Sequence, residues 1–297
     1  MPVPCIPGGA PPQPRADWQV KGATLKDPSP PPPAATLPPV RLAFVFFLTY
    51  LKRRLAYRGD LFVQMLDELL RGGVALAMLS IYASKTNSLG GYSADQLLFV
   101  LGFSLVPIAL FHCLCSNLYQ LNSRYVIEGN LDRVLLRPYP IFLQICFDRL
   151  AIEDLSGALL GCVLMAIAAA RIPGFEFSPL HLLMLLLMLL SATAVVVAVF
   201  MGFAATGFWF EDRVGMVPPV YNLMEFGRWP IELYAPWLKL LITCLVPFSF
   251  AGFLPAAVFV GGPLWPLAVA PAVAIAALLL ANLLWRMGLA RYNSAGN

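Results

Sequence analysis

Residues 180–203 read Leu180-His-Leu-Leu-Met-Leu-Leu-Leu-Met-Leu-Leu-Ser-Ala-Thr-Ala-Val-Val-Val-Ala-Val-Phe-Met-Gly-Phe203, without a single Asp, Glu, Lys or Arg. Because about 20 consecutive apolar residues are enough for a helix to cross the ~30 Å hydrocarbon core of a bilayer, this run predicts a transmembrane helix. Similar runs occur at residues 61–82, 97–118, 150–170, 238–260 and 264–285. Together they predict an all-α polytopic membrane protein with about six transmembrane helices.

The composition of the whole chain agrees with this fold class. Hydrophobic residues make up 59% of the 297 residues and charged residues 12%, which is outside the usual range of soluble domains. Stretches of about ten residues with alternating polarity, typical of a transmembrane β-barrel, are absent from the sequence. The two histidines and six scattered cysteines lack the spacing of a metal or redox site. We therefore expect a lipid bilayer around this chain, and no catalytic, cofactor-binding or metal-binding residues and no nucleic-acid partner.

The amino-terminal region has a different composition. Residues 1–40 contain thirteen prolines, and residues 30–33 are all proline. Such a segment can neither form a helix nor bury a core, so we expect a disordered cytoplasmic tail followed by a membrane domain over residues 41–297. Residues 41–58 mix apolar and basic side chains, which is typical of a helix lying in the headgroup plane. An ordinary juxtamembrane helix fits residues 41–58 equally well.

The distribution of Lys and Arg predicts the orientation in the membrane. Basic residues cluster before the first predicted span, between the second and third, and after the last. The loops between these clusters are poor in them, with only Lys85 and Arg171. Since positively charged short loops stay in the cytoplasm, both termini are predicted to be cytoplasmic.

Three charged residues lie within the first predicted span. Asp67, Glu68 and Arg71 are costly in lipid unless they pair or face protein and water. The spacings from Asp67 and from Glu68 to Arg71 allow pairing along one helix. An intramembrane functional site and a self-neutralising structural pair are both open interpretations.

Two further patterns predict local structure. Ser93 and Gln96 form a capping-box pattern that begins the second span after the Gly90-Gly91 turn. Gly157 and Gly161 have the small-xxx-small spacing that permits close approach of another helix.

The loop between the second and third spans, residues 119–145, contains a short amphipathic pattern. A helix after Gly129 would place Leu131, Val134 and Leu135 on one face, with Asp132 pointing toward water. The helix would end before Pro138. Such a helix is suited to docking into a groove of a soluble partner, although a simple connecting helix is also possible.

Four motifs in collinear order resemble one family of transporters. They are Ile127-Glu-Gly-Asn-Leu-Asp132 with Leu135-Leu-Arg-Pro138, Leu89-Gly-Gly-Tyr92, Arg228-Trp-Pro-Ile231 with Pro247 and Pro255, and Arg291-Tyr-Asn-Ser-Ala-Gly296. Together they resemble the permeases of type-2 ABC exporters, the ABC-2 family, and more narrowly a bacterial six-span branch. The proline-rich tail departs from the family pattern.

The resemblance implies a function and partners. The loop helix would be the coupling helix that docks onto separate ABC ATPase subunits; the residues it assigns to this contact are Glu128, Gly129, Leu131, Asp132, Leu135 and Arg137. A second permease copy or a paralogue would complete the transporter in the bacterial inner membrane. The sequence contains no G-x-x-x-x-G-K-[ST] motif, so ATP and Mg would bind to the partner and this chain would not be an enzyme.

The resemblance also implies a different reading of the fifth span. The fifth crossing would run from about residue 213 to 228, and residues 237–261 would form a re-entrant hairpin on the outer side, broken near Pro247 and Pro255. Glu225 and Arg228 would then lie near the outer leaflet, either at a substrate exit or as a structural pair. Hydropathy alone instead predicts a plain span at 238–260.

Other classes of membrane protein make different demands on the sequence. A proton-coupled secondary transporter is the main alternative, and it would be expected to show internal repeats and paired carboxylates near mid-bilayer. A membrane-embedded enzyme needs convergent ionisable or metal-binding residues. Neither pattern is clear in this chain, and a purely structural scaffold would not need the Glu128-Gly129 element.

Overall fold

The computed structural model describes residues 58–85, 88–137, 139–210 and 217–292. The proline-rich tail predicted for residues 1–40 and nearly all of the interfacial helix predicted for residues 41–58 lie outside these residues. The described residues form helices and their connections, with no strand and a single isolated bridge between Leu89 and Tyr92. The α-helices are α1 (Arg58–Lys85), α2 (Ala94–Cys115), α3 (Asn130–Leu135), α4 (Ile141–Asp148), α5 (Leu155–Arg171), α6 (Pro179–Ala205), α7 (Val217–Met224), α8 (Pro236–Leu240), α9 (Phe253–Ala257) and α10 (Pro266–Leu289).

Among the described residues, four helical stretches are long and apolar enough to cross a membrane. They are Ala94–Ile127, Ile152–Arg171, Pro179–Phe208 and Pro266–Leu289. A fifth is reached if the bent pair Pro236–Leu245 and Phe248–Val260 is counted as one span. The 28-residue helix α1 is long enough, but its charged residues keep it out of this set. The all-α polytopic membrane fold is thus confirmed, with four to five such spans where the sequence predicts about six.

Helix α2 forms the centre of the bundle. In the most apolar part of its span, 78% of the residues are buried inside the protein, whereas only 17% are buried in the corresponding part of α10. It packs closely on α5: a Cβ atom on Gly102 would lie 2.7 Å from the Gly161 carbonyl oxygen. The close approach predicted for Gly161 is therefore confirmed. The predicted capping box is also confirmed, since the Ser93 hydroxyl accepts from the Gln96 backbone N–H and the Gln96 side chain accepts from Ser93.

The connections sort into two ends of the bundle. We call the end with the Gly90-Gly91 turn, where both glycines have positive φ, the turn end. There Asp95 pairs with Arg171 at 3.7 Å, so the connection after α5 lies beside the start of α2. The end with α3 we call the loop end, and the Tyr292 hydroxyl there donates to Asp132 at 3.2 Å. This grouping of loops is the alternation that the Lys and Arg distribution predicts.

The bent pair enters and leaves the bundle at the turn end. On its first side, the preceding Pro230 packs against Gly90. On its last side, the Val260 carbonyl accepts from the Gln96 side chain at 2.7 Å. The two halves are bent by 70° at the break around Pro247, so the segment is not a straight span, and the contacts of both its ends with the turn end are those that a re-entrant hairpin predicts. The second predicted break is wrong, because Pro255 lies inside α9.

The segment before the hairpin is short in the described part of the chain. Helix α7 continues into a 3₁₀ turn, Glu225–Arg228. At the usual rises this stretch is about 20 Å long, less than the ~30 Å core. The crossing predicted to begin near residue 213 starts outside the described residues, which resume at 217.

Candidate functional site

The loop at the loop end begins as an extension of α2. The chain passes through a 3₁₀ turn, Ser116–Gln120, into a π-helical turn, Leu121–Ile127. The second span is therefore longer than predicted from hydropathy, which ended it at residue 118. Gly129 then adopts φ 70°, a conformation open to glycine at little cost, and precedes α3. The predicted short helix is confirmed, over the six residues Asn130–Leu135.

The face of α3 that was expected to meet a partner is only partly available. Leu131 has 0% of its surface exposed and belongs to the main hydrophobic core. The prediction that this side chain faces a soluble partner is therefore wrong. Helix α3 packs against the π-helical turn and α4, and that packing buries Leu131 where a free amphipathic helix would expose it.

The exposed surface of the loop lies at the carboxyl end of α3. Leu135 is 45% exposed and Leu136 is 86% exposed. Arg133 and Arg137 are also exposed, and Glu128 is exposed before the helix. We call residues 133–137 the loop-end patch, an apolar pair flanked by two guanidinium groups.

Polar contacts from distant positions hold the loop to the bundle. The Tyr125 hydroxyl donates to Asp148 at 2.9 Å, and Arg124 pairs with Asp148 at 3.2 Å. The buried Asn117 side chain donates to the Ile145 carbonyl at 2.7 Å. The sequence analysis missed these residues, because their partners are more than twenty positions away. These contacts brace the loop against α4 and the end of α2.

Two buried thiols also meet where the loop joins the bundle. The Sγ atoms of Cys115 and Cys146 are 3.4 Å apart. The contact with Cys115 and burial raise the pKa of the Cys146 thiol, so it stays protonated. The two cysteines are thirty-one positions apart, so only the fold brings them together.

A charged cavity of about 540 Å³ lies between α1, the end of α2, the segment before α5, and α7. Its charged lining residues are Asp67, Glu68, Arg71, Arg149, Glu153 and Asp154. One wall is aromatic and contains His112, Tyr119 and Tyr221. The three charges predicted in the first span therefore line one cavity, together with three charges that the sequence analysis did not single out.

Pairing within α1 differs between the two carboxylates. Arg71 donates to Asp67 at 2.7 and 3.1 Å, which confirms the predicted i,i+4 pair. Glu68 instead lies against α5, where a Cβ atom on Gly157 would be 2.7 Å from its Oε1. Gly157 thus makes room for a carboxylate, while Gly161 alone meets another helix backbone.

The second predicted pair is formed and lies near the first. Arg228 is 2.8 Å from Glu225, and its side chain is largely buried. The Arg228 charge acts on Glu68 and His112, although Arg228 is only two residues before Pro230, which packs at the turn end. The fold therefore brings the Glu225–Arg228 pair close to the charged residues of α1, although the sequence places them in different spans.

Comparison with known protein families matches residues 69–296 to a family described as ABC-2 family transporter protein. Curated proteins give no match. Solved structures give no match either.

Proposed function

Because the chain belongs to the ABC-2 transporter family, we propose that it is the permease subunit of an ATP-driven exporter. Membership makes it a transport-related, multi-pass membrane protein. The proposal adds the direction of transport, the coupling to ATP hydrolysis and the partner contact. It replaces the secondary-transporter alternative, because the motif that resembles a coupling helix lies on a braced, projecting loop.

The loop-end patch carries the proposal. A helix-in-groove contact needs a few apolar anchors on a rigid support. Leu135 and Leu136 offer such anchors, since they are 45% and 86% exposed outside the apolar bundle. Arg133 and Arg137 beside them would add attraction to an acidic groove rim.

The energy would come from separate ATPase subunits that bind ATP and Mg. Membrane subunits of this family generally partner with ATPase subunits. This chain has no phosphate-loop motif of its own. We propose that a second copy of the chain or a paralogue completes the transporter in a bacterial inner membrane, with the loop end and both termini in the cytoplasm.

The path of coupling follows one helical stretch. Residues Ala94–Ile127 form one helical stretch from the turn end to the loop, as an α-helix, a 3₁₀ turn and a π-helical turn in succession. Tyr119 and Ser116 lie on this stretch and line the charged cavity. Closure of the ATPase subunits would displace the loop, and the displacement would move Ser116 and Tyr119 in the cavity wall.

The test is co-purification of the ATPase with variants of the full chain. Leu136→Asp and Leu135→Asp should each weaken assembly by ~2 kcal/mol or more, because a charge replaces an apolar anchor. Leu233→Asp is the matched control, since Leu233 is 44% exposed at the turn end. Undiminished ATPase recovery with both loop variants would refute the proposed contact.

A further inference from the structure

The charged cavity has the size of a ligand site. Its volume of about 540 Å³ falls within the ~300–1,000 Å³ typical of small-molecule pockets. Four separate segments of the chain form its walls, and the loop-end patch is not among them.

The lining favours positive charge. Among the residues that the structure describes, four carboxylates and two guanidinium groups line the cavity. Arg71 is already engaged by Asp67. The neighbouring Arg228 is likewise engaged by Glu225. Glu68 and Asp154 form no ion pair with the described arginines, so their carboxylates face the cavity, where they attract a cation and repel an anion.

The aromatic wall favours an organic cation. The rings of His112 and Tyr221 stack with centroids 5.6 Å apart, and Tyr119 meets Tyr221 edge-on at 6.2 Å. A contact of 3.1 Å between His112 Nε2 and the Tyr119 hydroxyl holds the rings together. Aromatic faces attract cations, and organic cations more readily than strongly hydrated ones. Among the residues that the structure describes, no group of His, Cys, Asp and Glu could hold a metal ion.

Helix α1 separates the cavity from an apolar surface. Gln64, Glu68 and Arg71 face the cavity, while Phe62 and Leu70 on the same helix are 66% and 60% exposed. Since the helix lies between the two, the apolar groups of a bound ligand would contact the aromatic wall of the cavity and not this surface. The arrangement suits a lipophilic cation better than a hydrophilic one.

We infer that the charged cavity binds a lipophilic organic cation, with Glu68 and Asp154 facing its charge and Tyr221 packing on its apolar part. That such a cation is also transported rests on the proposed function; that it binds does not.

Two probes of the same shape and opposite charge test the inference. The full chain in lipid nanodiscs, without ATPase, is dialysed against tetraphenylphosphonium or tetraphenylborate, with empty nanodiscs as background. Saturable binding of the phosphonium is expected, with much weaker binding of the borate. Glu68→Gln and Asp154→Asn should each weaken phosphonium binding about tenfold, because each removes one charge and keeps the side-chain shape.

Further variants separate a local effect from misfolding. Tyr221→Leu should also weaken phosphonium binding, whereas Glu232→Gln, an exposed carboxylate at the turn end, should leave it unchanged. Wild-type melting of the Gln and Asn variants shows that they fold. Equal binding of both probes, or unchanged binding by Glu68→Gln and Asp154→Asn, would overturn the inference.

The outcome is distinguishable from the fate of the proposed function. If the ATPase co-purifies but the phosphonium does not bind, the cation site is wrong and the exporter proposal stands. If the phosphonium binds but is not exported by the assembled complex in an ATP-dependent manner, the site is supported and the exporter proposal is weakened.

Discussion

Leu131→Ala should destabilise the protein, although the position lies in a loop motif that suggests partner contact. Leu131 is fully buried, so truncation removes three carbon atoms from the core. At ~0.8 kcal/mol for each carbon the transfer loss is about 2.4 kcal/mol, and the cavity left behind brings the total to about 2–5 kcal/mol. A domain of this size loses about 2–4 °C of melting temperature for each kcal/mol, so a decrease of about 5–15 °C is expected.

The assay is thermal unfolding of the purified full chain in detergent, followed by the recovery of folded protein on size exclusion. Leu136→Ala is the control, since Leu136 is 86% exposed and its truncation should change stability by no more than about 0.5 kcal/mol. In the co-purification assay the exposed position should matter instead: Leu136→Asp should lower ATPase recovery without changing the melting temperature. If Leu131→Ala melts within about 1 °C of wild type, the reasoning from burial is refuted.

Three other outcomes follow from the structure. An impermeant thiol reagent applied to intact cells should label Ser88→Cys and not Arg133→Cys, because the turn end and the loop end face opposite sides. Arg71→Ala should lower the melting temperature more than Asp67→Ala, since it leaves two carboxylates of α1 without their neighbouring cation. Gly161→Ala should impair folding and yield, because a Cβ atom there would lie 2.5 Å from the Gly102 carbonyl oxygen.

Each of these outcomes has a counterpart that would contradict it. Labelling of Arg133→Cys alone would invert the topology. If Arg71→Ala and the wild type have equal melting temperatures, the pair between Arg71 and Asp67 does not stabilise the fold. For the glycine, Gly73→Ala is the control, because nothing lies within 4 Å of a Cβ atom at that position, and equal yields would show that the α2 and α5 backbones are not in close contact.

One helical segment connects the charged cavity with the loop-end patch. Both involve the stretch Ala94–Ile127, one through its side chains and the other through its end. A displacement at the patch therefore has a short, helical route to the cavity. Variants at the two sites should nevertheless differ, since patch variants affect ATPase recovery and cavity variants affect binding of the cation.

The sequence by itself determined the features that depend on neighbouring residues. Long apolar runs require helices in a bilayer, so the all-α membrane fold follows from hydropathy. The Ser93–Gln96 capping box and the Asp67–Arg71 pair are contacts within one helix, three or four residues apart, and both formed as predicted. The short helix after Gly129 also begins where the sequence predicts it, at Asn130.

The tertiary structure decided everything that depends on which segments meet. An amphipathic pattern cannot say whether its apolar face meets a partner or its own chain, and packing against α4 buried Leu131 while leaving Leu136 exposed. A hydropathy profile shows how long an apolar segment is but not which way the chain runs, so it could not predict that the segment around Pro247 returns to the turn end. The cavity unites Glu68, Asp154 and Tyr221 from three distant parts of the chain. The meeting of Glu68 with Asp154 arises only from that assembly, since local spacing pairs the arginine of α1 with one carboxylate and says nothing of the others.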